Sequence, residues 1–99
     1  MESVGRHKLY ARTLPSPNFR MYYVYVLKNR ITNRLYYGYT NDLDRRLRQH
    51  NSKEEWRIVY YEAYLAESDA RERERKLKYY GQTRSCLKSR LKQSLTQEN

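Results

Sequence analysis

The sequence predicts a small α/β protein of the mixed, α+β kind. A three-stranded, mainly antiparallel sheet is flanked by helices in the order β-β-α-β-α-α. Three observations carry this. Tyrosine and β-branched residues concentrate in "MYYVYVLK", "LYYGYT" and "WRIVYYEAYL", the composition of strands. Only the polar "NRITNR" separates the first two, which makes them a hairpin. The charged stretches between and after the strands carry leucines at helical spacing.

Residues 1–20 show no periodicity and hold both prolines of the chain. They read as a loose basic arm ahead of a domain spanning 21–95, with 96–99 as a short tail. The arm lacks the apolar helical face of a transit peptide. The first strand covers 21–28, the turn 29–34 and the second strand 35–40. Gly38 within that strand signals a close backbone approach or a bulge. Thr40 or Asn41 can cap a helix that runs to about His50. Asp42 and Asp44 suit its positive N-terminal end, and Asn51 terminates it. The third strand covers 56–65. Ser68 is placed to cap a helix to about Tyr80, with Gly81 closing it as a C′ residue. A last helix, 83–95, aligns Leu87, Leu91 and Leu95 at i, i+4, i+8.

At 99 residues the chain is expected to form one domain with a small core. Lys and Arg number 21 against 11 Asp and Glu, a net charge of +10, which favours a polyanionic partner such as nucleic acid or an anionic membrane face. No apolar run of about 18 residues occurs, so no transmembrane span is expected. Cys86 is the sole cysteine, which rules out an internal disulfide and a Cys-based zinc site. It reads as a small, half-buried hydrophobe, and a reducing, cytoplasmic location fits. Tyrosine is over-used, 12 residues against one Trp and one Phe. Some can replace Leu and Phe in a thin sheet, while others bring hydroxyls to a polar site.

The helix after the hairpin carries an anomaly. Leu43, Arg46, Leu47 and His50 share the i, i+3, i+4, i+7 spacing of one face, so an arginine and a histidine point inward. Arg46 could snorkel to solvent, and His50 could serve as a C-terminal cation. In "SDARERERKLKYYG", with Ala70 at zero, Leu77 lies at roughly −20°, Glu74 at roughly +40° and Glu72 at roughly 200° on the helical wheel. Glu74 therefore faces the sheet and Glu72 faces solvent. The inward groups could form a buried Arg46–Glu74 salt bridge. Alternatively they form a site in which Glu74 holds a divalent cation and Arg46 binds phosphate.

Tyr23-Val24-Tyr25, then "LYYGYTNDLDRRLRQHN", then "ARERERKLKYYG" together resemble the GIY-YIG nuclease domain, in its short single-domain bacterial form. The likeness covers Met21 to about Leu95. Tyr23 stands where the family name has glycine, and Tyr39 stands where some members have lysine. The resemblance implies metal-dependent hydrolysis of phosphodiester bonds, with one Mg²⁺ or Mn²⁺ on Glu74. It implies that Tyr25 or Tyr36 activates or orients the attacking water, with Tyr25 favoured as base. Arg46 would offer its fork to the phosphate, and His50 would bond to the phosphate or a metal-bound water. Gly38 would let the backbone approach the scissile strand.

Eleven further cations are expected to face outward and bind the nucleic-acid backbone without reading sequence: Arg45, Arg48, Arg71, Arg73, Arg75, Lys76, Lys78, Arg84, Lys88, Arg90 and Lys92. The expected partner is DNA, duplex or branched, with RNA also open and no membrane. A partner protein could supply specificity. The rival reading is a non-catalytic nucleic-acid-binding module with a silent site, which leaves the complete set Tyr25, Tyr36, Arg46, His50 and Glu74 unexplained.

Overall fold

A computed structural model describes residues 20–97. Strands β1 (Tyr22–Asn29), β2 (Leu35–Thr40) and β3 (Trp56–Tyr64) form one sheet in the order β2-β1-β3, and both pairings are antiparallel. Helices α1 (Leu43–Asn51), α2 (Glu67–Tyr79), α3 (Gly81–Arg90) and α4 (Lys92–Thr96) complete the domain. The arm, 1–20, lies outside the described residues except for its last.

β1 is central, and Val24, Tyr25, Val26 and Leu27 are all buried. Because side chains alternate along a strand, the two valines and the Tyr25–Leu27 pair serve opposite faces. Val24 and Val26 meet Ala70 and Leu77 of α2, Leu87 of α3, and Leu91, which together form the core. Tyr22, Tyr37, Tyr39, Tyr60 and Tyr64 pack around it, so five of the twelve tyrosines do the work of Leu and Phe. Between β1 and β3 the register shifts after Val26, leaving Val59 as the extra residue of a bulge. The bulge is therefore not at Gly38.

The hairpin is organised by Asn29. Its side-chain oxygen accepts from the backbone N–H of Ile31 and Thr32, both at 2.9 Å. Its amide donates to Glu54 at 2.8 Å. Asn33 takes the left-handed conformation, φ 63°, that asparagine tolerates better than most residues.

Helix ends differ from expectation in three places. Asp42, not Thr40 or Asn41, caps α1, accepting from Arg45 N–H at 3.1 Å. Thr40 instead accepts from the N–H of Asp42 and shapes the approach. α2 begins one residue before Ser68, after Ala66, which makes no side-chain cap bond. Gly81 opens α3 without a positive φ. Arg84 donates to the carbonyls of Leu77 and Lys78, both at 2.8 Å, and satisfies the helix end that a left-handed glycine would otherwise serve. The last predicted helix breaks at Leu91 into α3 and α4, yet Leu87, Leu91 and Leu95 still pack on the core. Cys86 is exposed, not half-buried. Among the described residues no helix is long and apolar enough to cross a membrane.

β3 is tied to α2 by an ion pair. Arg73 grips Glu62 through Nε and Nη2, with Nη2 to Oε2 at 2.9 Å, and the hydroxyls of Tyr60 and Tyr64 donate to the same carboxylate. Burial works to raise the Glu62 pKa, but Arg73 and the two hydroxyls outweigh it and hold the group below its ordinary value. Leu77 is the side chain on which α2, β1 and α3 converge, and it is 0% exposed. Leu77→Ala should cost about 2–5 kcal/mol of stability, read as a lowered urea midpoint.

Candidate active site

The site is built around Tyr25. In the β1–β2 register Tyr25 stands opposite Gly38. A methyl at position 38 would lie 2.5 Å from Cζ and 2.9 Å from Cε1 of the Tyr25 ring and would overlap its hydroxyl oxygen. Gly38 is itself buried. The close approach it permits within the domain is made by Tyr25.

α1 covers this face. Leu43, Arg46, Leu47 and His50 are half-buried, whereas Asp44, Arg45, Arg48, Gln49 and Asn51 are exposed. The inward arginine and histidine are therefore real, and both reach the Tyr25 hydroxyl. Arg46 Nε donates to it at 3.3 Å, and His50 Nε2 lies 3.3 Å from it. The arginine can only donate, so the phenol oxygen accepts there and keeps its own proton free; with His50 in the Nδ1–H tautomer that proton is given to Nε2, and in the Nε2–H tautomer the phenol accepts from both. Arg46 Nη1 also donates to Gln49 Oε1 at 3.1 Å, which fixes the guanidinium.

Tyr36 lines the same site. Its ring centre is 6.2 Å from that of Tyr25 and 4.7 Å from that of His50. The Lys78 ammonium lies 5.8 Å from the centre of the Tyr36 ring and 3.3 Å from Glu74 Oε2. That contact brings the end of α2 to the cluster. The Glu74 side chain is 22% exposed against 50% for Glu72, as the helical wheel requires. Glu74 pairs with Lys78, so the expected alternative of an Arg46–Glu74 salt bridge is replaced. Glu72 pairs with Arg75 at 2.7 Å.

Burial raises the Tyr25 pKa, and the hydrogen bond from Arg46 only partly offsets it, while the charges of Tyr36 and Glu74 push it further up. The same burial, with the nearby Arg46 charge, lowers the His50 pKa. Both groups are neutral at rest at pH 7. Arg46 is driven still higher by its bond to Tyr25 and stays a cation.

Among the described residues no three His, Cys, Asp or Glu side chains cluster as a metal cage. A single carboxylate fits Mg²⁺ or Mn²⁺, which keep several waters and take phosphate oxygens as ligands. It does not fit structural zinc.

Of the eleven expected outward cations, Arg45, Arg48, Arg71, Arg75, Lys76, Lys78, Lys88, Arg90 and Lys92 are exposed. Arg73 and Arg84 are not among them. Arg73 is committed to Glu62, and Arg84 caps α2. Sequence reasoning missed Trp56, whose ring is 6.2 Å from Tyr36 and 6.1 Å from His50. Its only sequence signal is its place at the start of a strand.

An antiparallel β-β-α-β-α-α domain that holds a phenol between a guanidinium and an imidazole, on a basic surface, has the features of the nuclease class. The GIY-YIG catalytic domain matches residues 21–78, more than half of the chain, and the chain belongs to this nuclease family. The match runs from the start of β1 almost to the end of α2 and contains Tyr25, Tyr36, Arg46, His50 and Glu74. No curated protein and no solved structure matches it.

The glycine can be tested directly. Gly38→Ala forces a methyl against a buried ring that Arg46 and His50 hold in place. Stability should fall by about 1–3 kcal/mol, the scale of an overpacked interior, measured by chemical denaturation.

Proposed function

We propose that the domain is an endonuclease that hydrolyses phosphodiester bonds in DNA, dependent on Mg²⁺ or Mn²⁺ and of low sequence specificity. The observation that carries this reading is the Tyr25 hydroxyl, met at once by Arg46 and His50. Exposed cations on α1, α2, α3 and α4 hold the phosphate backbone and carry no base information.

Tyr25 acts as a relay. As water attacks phosphorus, its proton passes to the Tyr25 oxygen while the phenol proton passes to His50 Nε2; the opposite P–O bond to the sugar breaks, and the departing sugar oxygen takes a proton from solvent water. Phenolate need not accumulate, which matters because burial opposes it. Arg46 stays a cation throughout. It orients the hydroxyl and presents its remaining N–H groups to the non-bridging oxygens, where charge grows. Tyr36 holds the imidazole in place by ring contact. Glu74 would hold the divalent cation, which acts as a Lewis acid on phosphate oxygens when bound. Lys78 shares Glu74 and sets the charge of that corner.

Glu74→Gln should retain DNA binding, followed by fluorescence anisotropy, and lose cleavage in a gel assay with Mg²⁺. Glu72→Gln should cleave like wild type. If the two variants behave alike, Glu74 has no special part in the reaction.

His50 must be neutral to accept a proton, and its pKa is lowered by burial and by Arg46. Activity is therefore complete above the ordinary histidine value of about 6.5 and falls as pH drops through the lower pKa of the folded protein. The profile of kcat/KM, which reports the free enzyme, should show this acid limb. His50→Gln should remove the limb and slow cleavage by about 10²–10⁴-fold, the range for losing a general acid–base group.

A further inference from the structure

Beside the Tyr25 hydroxyl an open cleft of about 330 Å³ runs between α1 and the start of β3. Tyr36, Arg46 and His50 are shared between the cleft and the reacting groups, and Trp56 closes the far side. The proposed reaction leaves Trp56 without a role. We propose that this cleft receives one unpaired nucleobase of the strand being cut, so that the enzyme acts where a nucleotide is unstacked and not within continuous duplex. This rests on the nuclease reading and specifies its substrate.

The walls are aromatic. The ring centres of Tyr36 and His50 are 4.7 Å apart, those of Tyr36 and Trp56 6.2 Å, and those of His50 and Trp56 6.1 Å. Their planes meet at 58–65°, so the rings stand as steep walls and not as a closed stack. A cluster that served only to seat α1 on the sheet would be buried. Here α1 has no buried residue, and Trp56 and Tyr36 are only half-buried. Aromatic walls take any base, because every base has a π face.

The rim supplies hydrogen-bonding groups of both kinds. Gln49 accepts from Arg46 through Oε1, which turns its amide NH₂ outward as a donor. Glu54 offers carboxylate oxygen, steadied by Asn29 at 2.8 Å and by Arg34 at 3.7 Å. The Lys53 ammonium lines the cleft, and the Arg34 guanidinium stands 6.0 Å from the centre of the Trp56 ring, so cations flank the entry.

Size selects the occupant. About 330 Å³ is at the small end of ligand sites and suits a single nucleotide. A base within duplex is covered by its neighbours and by its partner, and it must leave the stack to enter such a pocket. With its phosphate on Arg46, the adjoining base of a single strand, flap or bulge reaches the aromatic walls without that cost.

Trp56 is the only tryptophan of the chain, so emission excited at the red edge, beyond tyrosine absorption, reports the cleft alone. The full chain, in EDTA to suppress cleavage, is titrated with short oligothymidylate, with oligouridylate and with a hairpin duplex carrying a fluorescent label. Single strand should quench Trp56 saturably, whichever of the two strands binds more strongly. The duplex should bind, by anisotropy of its label, with Trp56 emission unchanged. Trp56→Leu should weaken single-strand binding, read by anisotropy of labelled strand, by roughly 5- to 100-fold, the range for losing one stacking partner. Its thermal midpoint, measured on the same sample, separates this loss from misfolding. Equal quenching by duplex and single strand, or binding of both with no quenching, overturns the proposal. Quenching by single strand with no cleavage on adding Mg²⁺ or Mn²⁺ supports the cleft and removes the nuclease reading. Duplex cleavage with a silent Trp56 does the reverse.

Discussion

Tyr25 is a large polar side chain placed inside a thin sheet, 1% exposed, and much of the domain is arranged around that fact. Its ring needs a residue without a side chain beneath it, which is Gly38 on the neighbouring strand. Its hydroxyl, drawn in from bulk solvent to the inner edge of the cleft, needs hydrogen-bond partners, and Arg46 and His50 supply them from one face of α1. α1 in turn accepts polar groups on its inward face because they meet this hydroxyl and not bare hydrocarbon. Changing any one of the four would leave a clash or an unpaired buried group.

The same burial sets the electrostatics. Low polarity around Tyr25 favours the phenol over the phenolate, and around His50 it favours imidazole over imidazolium. The pair therefore rests neutral beside a permanent cation, Arg46, and a half-buried anion, Glu74. Arg46 disfavours protonated His50 and supports negative charge on Tyr25, whereas Glu74 opposes that charge.

The positive surface is less open than a net charge of +10 suggests. Arg45, Arg48, Arg71 and Arg75 each face an acid three or four residues away on or beside the same helix. Exposed pairs of this kind contribute little stability, so a phosphate can displace the carboxylate at small cost. Arg73 and Arg84 act differently. One clamps β3 to α2 through Glu62, and the other closes the end of α2, so both support the frame that holds Glu74 and Lys78.

Much of this was legible in the sequence. Strand composition and leucine spacing located all three strands, the α1 face that carries Arg46 and His50, and the separation of Glu74 from Glu72. These depend on local periodicity, which a linear pattern records. The helix ends were less legible because Arg84 and Asp42 do their capping through side-chain geometry that several neighbours could equally have supplied. The occupant of the space above Gly38 could not be read, since it depends on the β1–β2 register. Nor could the fate of Arg73, because its partner Glu62 lies on β3, eleven residues earlier. Trp56 joined the site only when the β1–β3 pairing set it opposite Asn29 and beside His50. Sequence alone determined which side chains of α1 and which glutamate of α2 face inward. Tertiary structure decided which inward-facing groups meet, because hydrogen bonds and ring contacts act over a few ångströms between residues far apart in the chain.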